Sequence, residues 1–169
     1  MIDVKVFNES KNELPKYESL SAAGLDVRAD FSRATSTADF KIYGNGVFYF
    51  KTEPYLILGP GSRVLIPTGL YVAIPEGYEI QVRPRSGWAL KKGITVLNTP
   101  GTIDADYRGE IGVILLNAGD APVMINDGDR IGQLVLNKVE TINWKSVDST
   151  EALGDTERGD GGFGHGGVR

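Results

Sequence analysis

The 169-residue sequence has no cysteine, one histidine (His165), two methionines and two tryptophans. Without cysteine there is no disulfide, no thiolate nucleophile and no cysteine-ligated metal, which fits a reducing compartment. A single histidine also puts a histidine-based zinc site out of reach. Basic residues are not in excess: 18 Lys and Arg against 22 Asp and Glu leave a formal charge of -4, which argues against a chain that grips nucleic acid by its phosphates. No apolar run approaches the length of a membrane span, and no charged-then-apolar leader opens the sequence. The chain is therefore expected to be soluble and unprocessed, with no membrane or nucleic-acid partner, in the cytoplasm or, for a viral protein, the host-cell cytosol.

What the sequence does have is turns and short apolar segments. Its length suits one domain with a proper core. Asp3 to Phe7 alternates as a first strand, and Ala22 to Ala29 reads as a second, entered through Gly24. Asn45-Gly46, between aromatic and β-branched residues, predicts a surface hairpin within an insertion spanning 31–55. From Tyr55 onward, apolar segments recur at sandwich-like spacing: Tyr55 to Leu58, Arg63 to Ile66, Leu70 to Ile74, Tyr78 to Val82, Ile94 to Leu97, Ile111 to Leu116, Val123 to Ile125 and Ile131 to Leu136. Turn chemistry separates them, as in Gly59-Pro60-Gly61 and Asn126-Asp127-Gly128-Asp129. One short helix is predicted from Ser86 to Lys92, capped by Ser86 and ended by Gly93. The expected fold is all-β, an antiparallel jelly-roll-like barrel over residues 1–153. A glycine-rich tail follows over 154–169, too poor in apolar residues to supply a core element and expected to be mobile alone.

Three stretches carry candidate chemistry. Residues Asn98 to Glu110 combine a Pro100-Gly101 turn signal with Asp104, Asp106, Tyr107 and Arg108 between two apolar runs, which reads as a hairpin opening a hollow. A strand resuming at Thr102 would put Asp104 and Asp106 on one face, where their repulsion calls for Arg108, a metal ion or a phosphate-bound magnesium. A solvated hairpin tip with surface acids is the plainer alternative. The second stretch, Arg83-Pro84-Arg85-Ser86-Gly87-Trp88, sets guanidiniums and a serine hydroxyl at a helix start, a combination that takes anions; an ordinary helix cap with surface arginines competes with it. In the tail, Phe163 stands among glycines, close-approaching backbone beside one stacking ring. Gln133, in an apolar strand, reads first as a core amide needing hydrogen-bond partners.

Taken together, Ala23-Gly24-Leu25-Asp26, Arg85-Ser86-Gly87-Trp88-Ala89, Gly101 to Glu110, Gly128-Asp129-Arg130-Ile131-Gly132-Gln133-Leu134 and Arg158-Gly159-Asp160-Gly161-Gly162-Phe163-Gly164 resemble the five motifs of the trimeric dUTPase family. The resemblance covers nearly the whole chain and leaves mainly 31–55 outside. It implies a jelly-roll homotrimer with active sites at subunit interfaces that hydrolyses dUTP to dUMP and pyrophosphate with Mg2+. By the same match, Asp104 orients and activates the attacking water, and Tyr107 lies under the deoxyribose, leaving no room for a 2′-hydroxyl. Asn98 contacts uracil. Arg85, Ser86 and Gly87 bind phosphate, Gln133 supports the same phosphates, and Asp26 organises the site near the metal through water. Magnesium is held by the triphosphate and waters rather than by direct protein ligands. Phe163 stacks on uracil when the tail closes as a flap, while Arg158 and glycine amides, Gly164 among them, grip phosphate. Where many relatives carry a serine or threonine after the fifth-motif Gly-Phe-Gly, this chain continues His165-Gly166-Gly167. Two other readings are a dCTP deaminase, which shares the fold but needs a glutamate-centred site, and a non-catalytic trimeric module that binds a protein partner.

Overall fold

The computed structural model describes residues 1–49 and 53–162. The chain divides into a unit from Met1 to Val139 and a second from Glu140 to Arg169. The expected boundary between residues 153 and 154 falls inside the second unit.

Among the described residues, the first unit is built from antiparallel strands in three sheets. One sheet is ordered β1 (Lys5–Asn8), β6 (Arg63–Ala73), β10 (Glu110–Asn117) and β8 (Ile94–Val96), with β3 (Ile42–Tyr43) also on β6. A second holds β11 (Val123–Asn126), β5 (Tyr55–Leu58) and β4 (Gly46–Tyr49). The third, which carries most candidate site residues, runs β2 (Leu25–Arg28), β12 (Arg130–Lys138), β7 (Tyr78–Arg83) and β9 (Gly101–Ile103). One α-helix, α1 (Ser86–Lys92), follows β7. The all-β, jelly-roll-like architecture with one short helix is as the sequence predicts.

Alternation explains the core. Along β10, Ile111, Val113 and Leu115 are buried while Gly112, Ile114 and Leu116 are half-exposed, the period of two of a strand with one inward face. These side chains meet Val64 and Ile66 of β6, Leu56 and Leu58 of β5, Val27 and Ile131 in one apolar cluster. Each fully buried aliphatic side chain contributes about 1.5–3 kcal/mol relative to exposure. Asn117 is wholly buried at the end of β10, and its amide is satisfied: Nδ2 donates to the Leu58 and Ala121 carbonyls, both at 2.9 Å, while Oδ1 accepts the Gly119 N–H at 3.0 Å.

Three expectations are corrected. Asn45-Gly46 does not close a hairpin, because β3 pairs with β6 and β4 with β5. Gly44, at φ 99°, turns the chain away from itself. Asn45 is then tied to the β5–β6 turn: its N–H donates to the Ser62 hydroxyl at 2.7 Å, and its carbonyl accepts the Gly59 N–H at 2.7 Å. The 31–55 segment also supplies core, since Phe31 and Phe40 are buried and pack edge to face at 5.2 Å. The apolar segments at Arg63 to Ile66 and Leu70 to Ile74 form a single strand. Thr68 and Gly69 at its bend direct their N–H groups to the Glu110 carboxylate instead of to a strand partner. Finally, Ser86 does not cap α1: Arg85, in extended backbone, holds the cap position without a side-chain hydrogen bond.

In the second unit a 3-10 turn spans Glu151–Leu153. Further on, the Arg158 Nε donates to the Gly161 carbonyl at 2.7 Å. Phe163, Gly164 and His165 lie outside the described residues.

Candidate active site

The third sheet brings two further candidate residues, Arg85 and Gln133, to Asp26, and adds Arg130. Register sets Asp26 opposite Gln133, and Gln133 opposite Arg83, so these three share one face of β2, β12 and β7. Arg85 lies two residues beyond Arg83 and folds back as a fork onto Asp26, with Nε 3.2 Å from Oδ1 and Nη2 3.2 Å from Oδ2. Arg130 Nη1 reaches Oδ2 at 3.1 Å, and Gln133 Nε2 donates to Oδ1 at 3.2 Å. The Asp26 side chain is only 8% exposed, and two guanidiniums and an amide stabilise its charge in place of water. Glu18 Oε1 also stands 3.8 Å from Arg130 Nη1, so two guanidiniums face two carboxylates.

Arg85 is not exhausted by this. A guanidinium has five N–H donors. Two go to Asp26 and a third, on Nη1, goes to the Arg130 carbonyl at 3.4 Å, which leaves two. Asp26 thus orients Arg85 while sparing donors for an anion, and exposed Ser86 and Gly87 follow directly. Arg130 stands inside the fourth motif segment, yet sequence reasoning gave it no role. Its signal lay in register, since Arg130 pairs with Arg28 beside the Asp26 and Gln133 pair.

The Asn98 to Glu110 stretch is not a hairpin. β8 pairs with β10 and β9 with β7, so Asn98, Thr99 and Pro100 carry the chain from one sheet to another, with a cis peptide between Thr99 and Pro100. Strand β9 ends at Ile103, and the Tyr107 N–H donates to the Asp104 carbonyl at 3.1 Å, closing a turn. The predicted same-face pairing of Asp104 and Asp106 therefore fails, because the period of two stops before the first acid. Arg108 does not answer the carboxylates either: its Nη1 donates to the carbonyls of Ala105, at 2.7 Å, and Tyr107, at 2.8 Å, and so braces the turn.

The turn opens on a hollow of about 250 Å³ lined by Thr102, Ile103, Asp104, Tyr107, Glu110 and the β6 and β10 side chains facing them. Asp104 is exposed, and among the described residues its carboxylate oxygens accept no hydrogen bond, so both stay open to water. The Tyr107 hydroxyl donates to the Glu110 carbonyl at 3.0 Å, and the hydroxyl end of its ring packs against Gly109, where a Cβ would come within 2.6 Å of the ring carbon Cζ. Asn98 is exposed and outside this lining; its Nδ2 is 3.1 Å from where a Cβ on Gly101 would lie, so the two are close-packed. A larger hollow of about 280 Å³, lined by Val4, Leu25, Val72, Ile80, Leu134 and other apolar side chains, has no charged group to meet a phosphate.

The Asp26 cluster and the hollow occupy opposite ends of β7. Ile80 pairs with Ile103, so Asp104 lies one residue past that pair while Arg85 lies five residues the other way. Three of those steps, from Ile80 to Arg83, run along β7 at about 3.3 Å each; Asp104 and Arg85 stand past the strand ends on either side.

Residues 44–167 match the dUTPase family model. Over 164 residues the chain is 49% identical to a deoxyuridine 5′-triphosphate nucleotidohydrolase of Fusobacterium nucleatum, spanning 97% of this chain and 96% of that protein. It is 47% identical to the protein so named in Bdellovibrio bacteriovorus, spanning 96% and 93%. Among solved structures, a Staphylococcus bacteriophage 80alpha dUTPase with dUpNHpp superposes with a TM-score of 0.74 at 25% identity, over 98% of this chain and 99% of that one. A phage phi11 dUTPase whose structure shows a structural Mg(II) ion shares the fold, with a TM-score of 0.66 at 23% identity, over 88% of this chain and 99% of that one. With the match running through both the Asp26 cluster and the Asp104 turn, the chain belongs to the dUTPase family, the hydrolases of deoxyuridine triphosphate.

Proposed function

We propose that dUTP is cleaved to dUMP and pyrophosphate by water attacking the α-phosphorus, with Asp104 as the group that positions that water and takes its proton. The water oxygen bonds to phosphorus, the bond from phosphorus to the bridging oxygen breaks, and pyrophosphate departs with the electron pair. A carboxylate is a modest base, so most of the gain comes from holding water in line with the leaving group. The single observation that carries this reading is the Asp104 to Tyr107 turn, which sets an unencumbered carboxylate and a tyrosine ring at the rim of one hollow. Tyr107 lies under the deoxyribose and rejects a 2′-hydroxyl, and Asn98 contacts uracil from the neighbouring crossover.

Arg85, Ser86, Gly87 and Gln133, organised by Asp26 and Arg130, hold the phosphates. Arg158, Phe163 and Gly164 close over the nucleotide from the tail. Asp104 and Arg85 stand past opposite ends of the β7 and β9 pairing, an arrangement that suits a site whose two halves come from different copies. This supports a homotrimer with active sites at subunit interfaces.

Magnesium fits the donor set only as an ion that arrives with the substrate. Among the described residues no three of His, Cys, Asp or Glu converge, and the Asp26 oxygens are already engaged by two arginines and a glutamine. An ion held by the triphosphate and water would neutralise phosphate charge, with Asp26 organising the site through water. The reaction keeps uracil out of DNA and supplies dUMP for dTMP synthesis, which belongs in the cytoplasm.

Asp104→Asn tests the assignment. Turnover is expected to fall about 10²- to 10⁴-fold while a non-hydrolysable dUTP analogue still binds. Unchanged turnover would remove Asp104 from the mechanism.

A further inference from the structure

Arg33 lies in the segment that carries none of the five motifs, yet it reaches the end of the Asp104 stretch. Its Nη2 donates to Glu110 Oε1 at 2.5 Å, its Nη1 to Glu9 Oε2 at 2.7 Å, and its Nε to the buried Asp30 Oδ2 at 3.4 Å. The same Glu110 oxygen accepts the Thr68 N–H at 3.1 Å and the Gly69 N–H at 2.7 Å, where β6 bends. One carboxylate oxygen is therefore held from three directions, one of them charged. The carbonyl of that same Glu110 accepts the Tyr107 hydroxyl.

From this we infer that Arg33 is a positioning residue for the Tyr107 ring, acting through Glu110. The inference rests on the reading of Tyr107 as the group under the sugar. A fixed Glu110 carboxylate fixes its own backbone, and that carbonyl is one of two features that hold the ring; the other is the bare surface of Gly109. Arg33 is 37% exposed but Asp30 is only 1% exposed, so the arginine also carries some stability, which the melting temperatures below separate from its effect on the ring. Burial works against its charge, but Tyr71 together with Glu110 and Glu9 more than offsets it, so Arg33 stays protonated at any working pH. The result is a rigid strut from the motif-free segment to the wall of the nucleoside hollow.

The strut predicts a change in sugar selectivity. We would measure kcat/KM for dUTP and for UTP in the full-length enzyme and its Arg33→Met, Arg33→Lys, Glu110→Gln and Tyr107→Ala variants, with melting temperatures alongside. Arg33→Met should lower the dUTP-to-UTP ratio about 2- to 30-fold, mostly by raising the rate with UTP. Arg33→Lys, which keeps the charge, should recover part of the ratio. Glu110→Gln keeps an oxygen for the Thr68 and Gly69 amides but loses the ion pair, so it should lower the ratio even if Arg33→Met fails to fold. An unchanged ratio in folded Glu110→Gln or Arg33→Met, beside a collapsed ratio in Tyr107→Ala, overturns the strut and leaves the role of Tyr107 standing. An unchanged ratio in Tyr107→Ala removes both.

Discussion

Gly109 shows how a residue with no side chain governs one that has a role. Its φ is outside the left-handed region, so alanine suits the backbone; what alanine cannot do is share space with the Tyr107 ring, whose Cζ would lie 2.6 Å from the new methyl. Tyr107 is 43% exposed and can swing outward by giving up its hydrogen bond to the Glu110 carbonyl, so the conflict resolves by losing the ring position and not by unfolding. Gly109→Ala is expected to keep its stability within about 0.5 kcal/mol in a denaturant melt, as surface changes do. Discrimination between dUTP and UTP should nevertheless fall. Equal discrimination in the variant and the parent would mean that the ring position seen here is not the one that faces the sugar. Asp26 makes the complementary point: it is nearly buried, touches no reacting group in the proposed scheme, and decides where Arg85 can aim its remaining donors.

At the scale of elements, the 3-10 turn Thr37–Asp39 gives a measurable pH signature. The Asp39 carboxylate accepts the Thr35 N–H and the Ser36 N–H, which hold its pKa below the ordinary carboxylate value. A depressed folded-state pKa adds stability that is present above the unfolded value, about pH 4, and is lost as pH falls through the folded value. The acid limb of a stability-versus-pH curve should therefore be shallower in Asp39→Asn below about pH 4, with no change in its slope near neutrality. An identical acid limb would show that these amides bind the charged and neutral carboxyl equally. Elements also mark the limit of what could be read in advance. Several strands from Tyr55 onward were legible because an apolar run stops at turn-forming residues, as Tyr55 to Leu58 does at Gly59 and Ile111 to Leu116 does at Asn117-Ala118-Gly119. Asn45-Gly46 misled because the hairpin rule weighs only the two central residues and their flanks. The Ser62 hydroxyl and the Gly59 amide, 17 and 14 residues away, captured Asn45 instead. Asp104 and Asp106 misled for a related reason, since nothing local announces that β9 stops at Ile103. The motif segments that supply the candidate residues were legible because they are contiguous, whereas how Asp26, Arg85, Arg130 and Gln133 face each other was not, because they meet only through sheet register.

For the whole molecule, the separation of Asp104 from Arg85 along β7 can be tested without a structure of the assembly. Neither Asp104→Asn nor Arg85→Ala copies should turn over dUTP alone. Co-expressed in equal amounts, they should assemble sites that take an intact Asp104 from one copy and an intact Arg85 from another, restoring about a quarter of the activity if three copies mix at random. A mixture as inactive as its parts would return both groups to a single chain. The buried Phe31 and Phe40 pair ties the 31–55 segment into the same folded body that carries both halves, so neither half drifts when the copies part. On this reading, dilution and denaturation are different events. Below the concentration at which copies associate, each chain keeps its sheets and its two half-sites, and the rate declines more steeply than in proportion to protein present, to return in full when the solution is concentrated again.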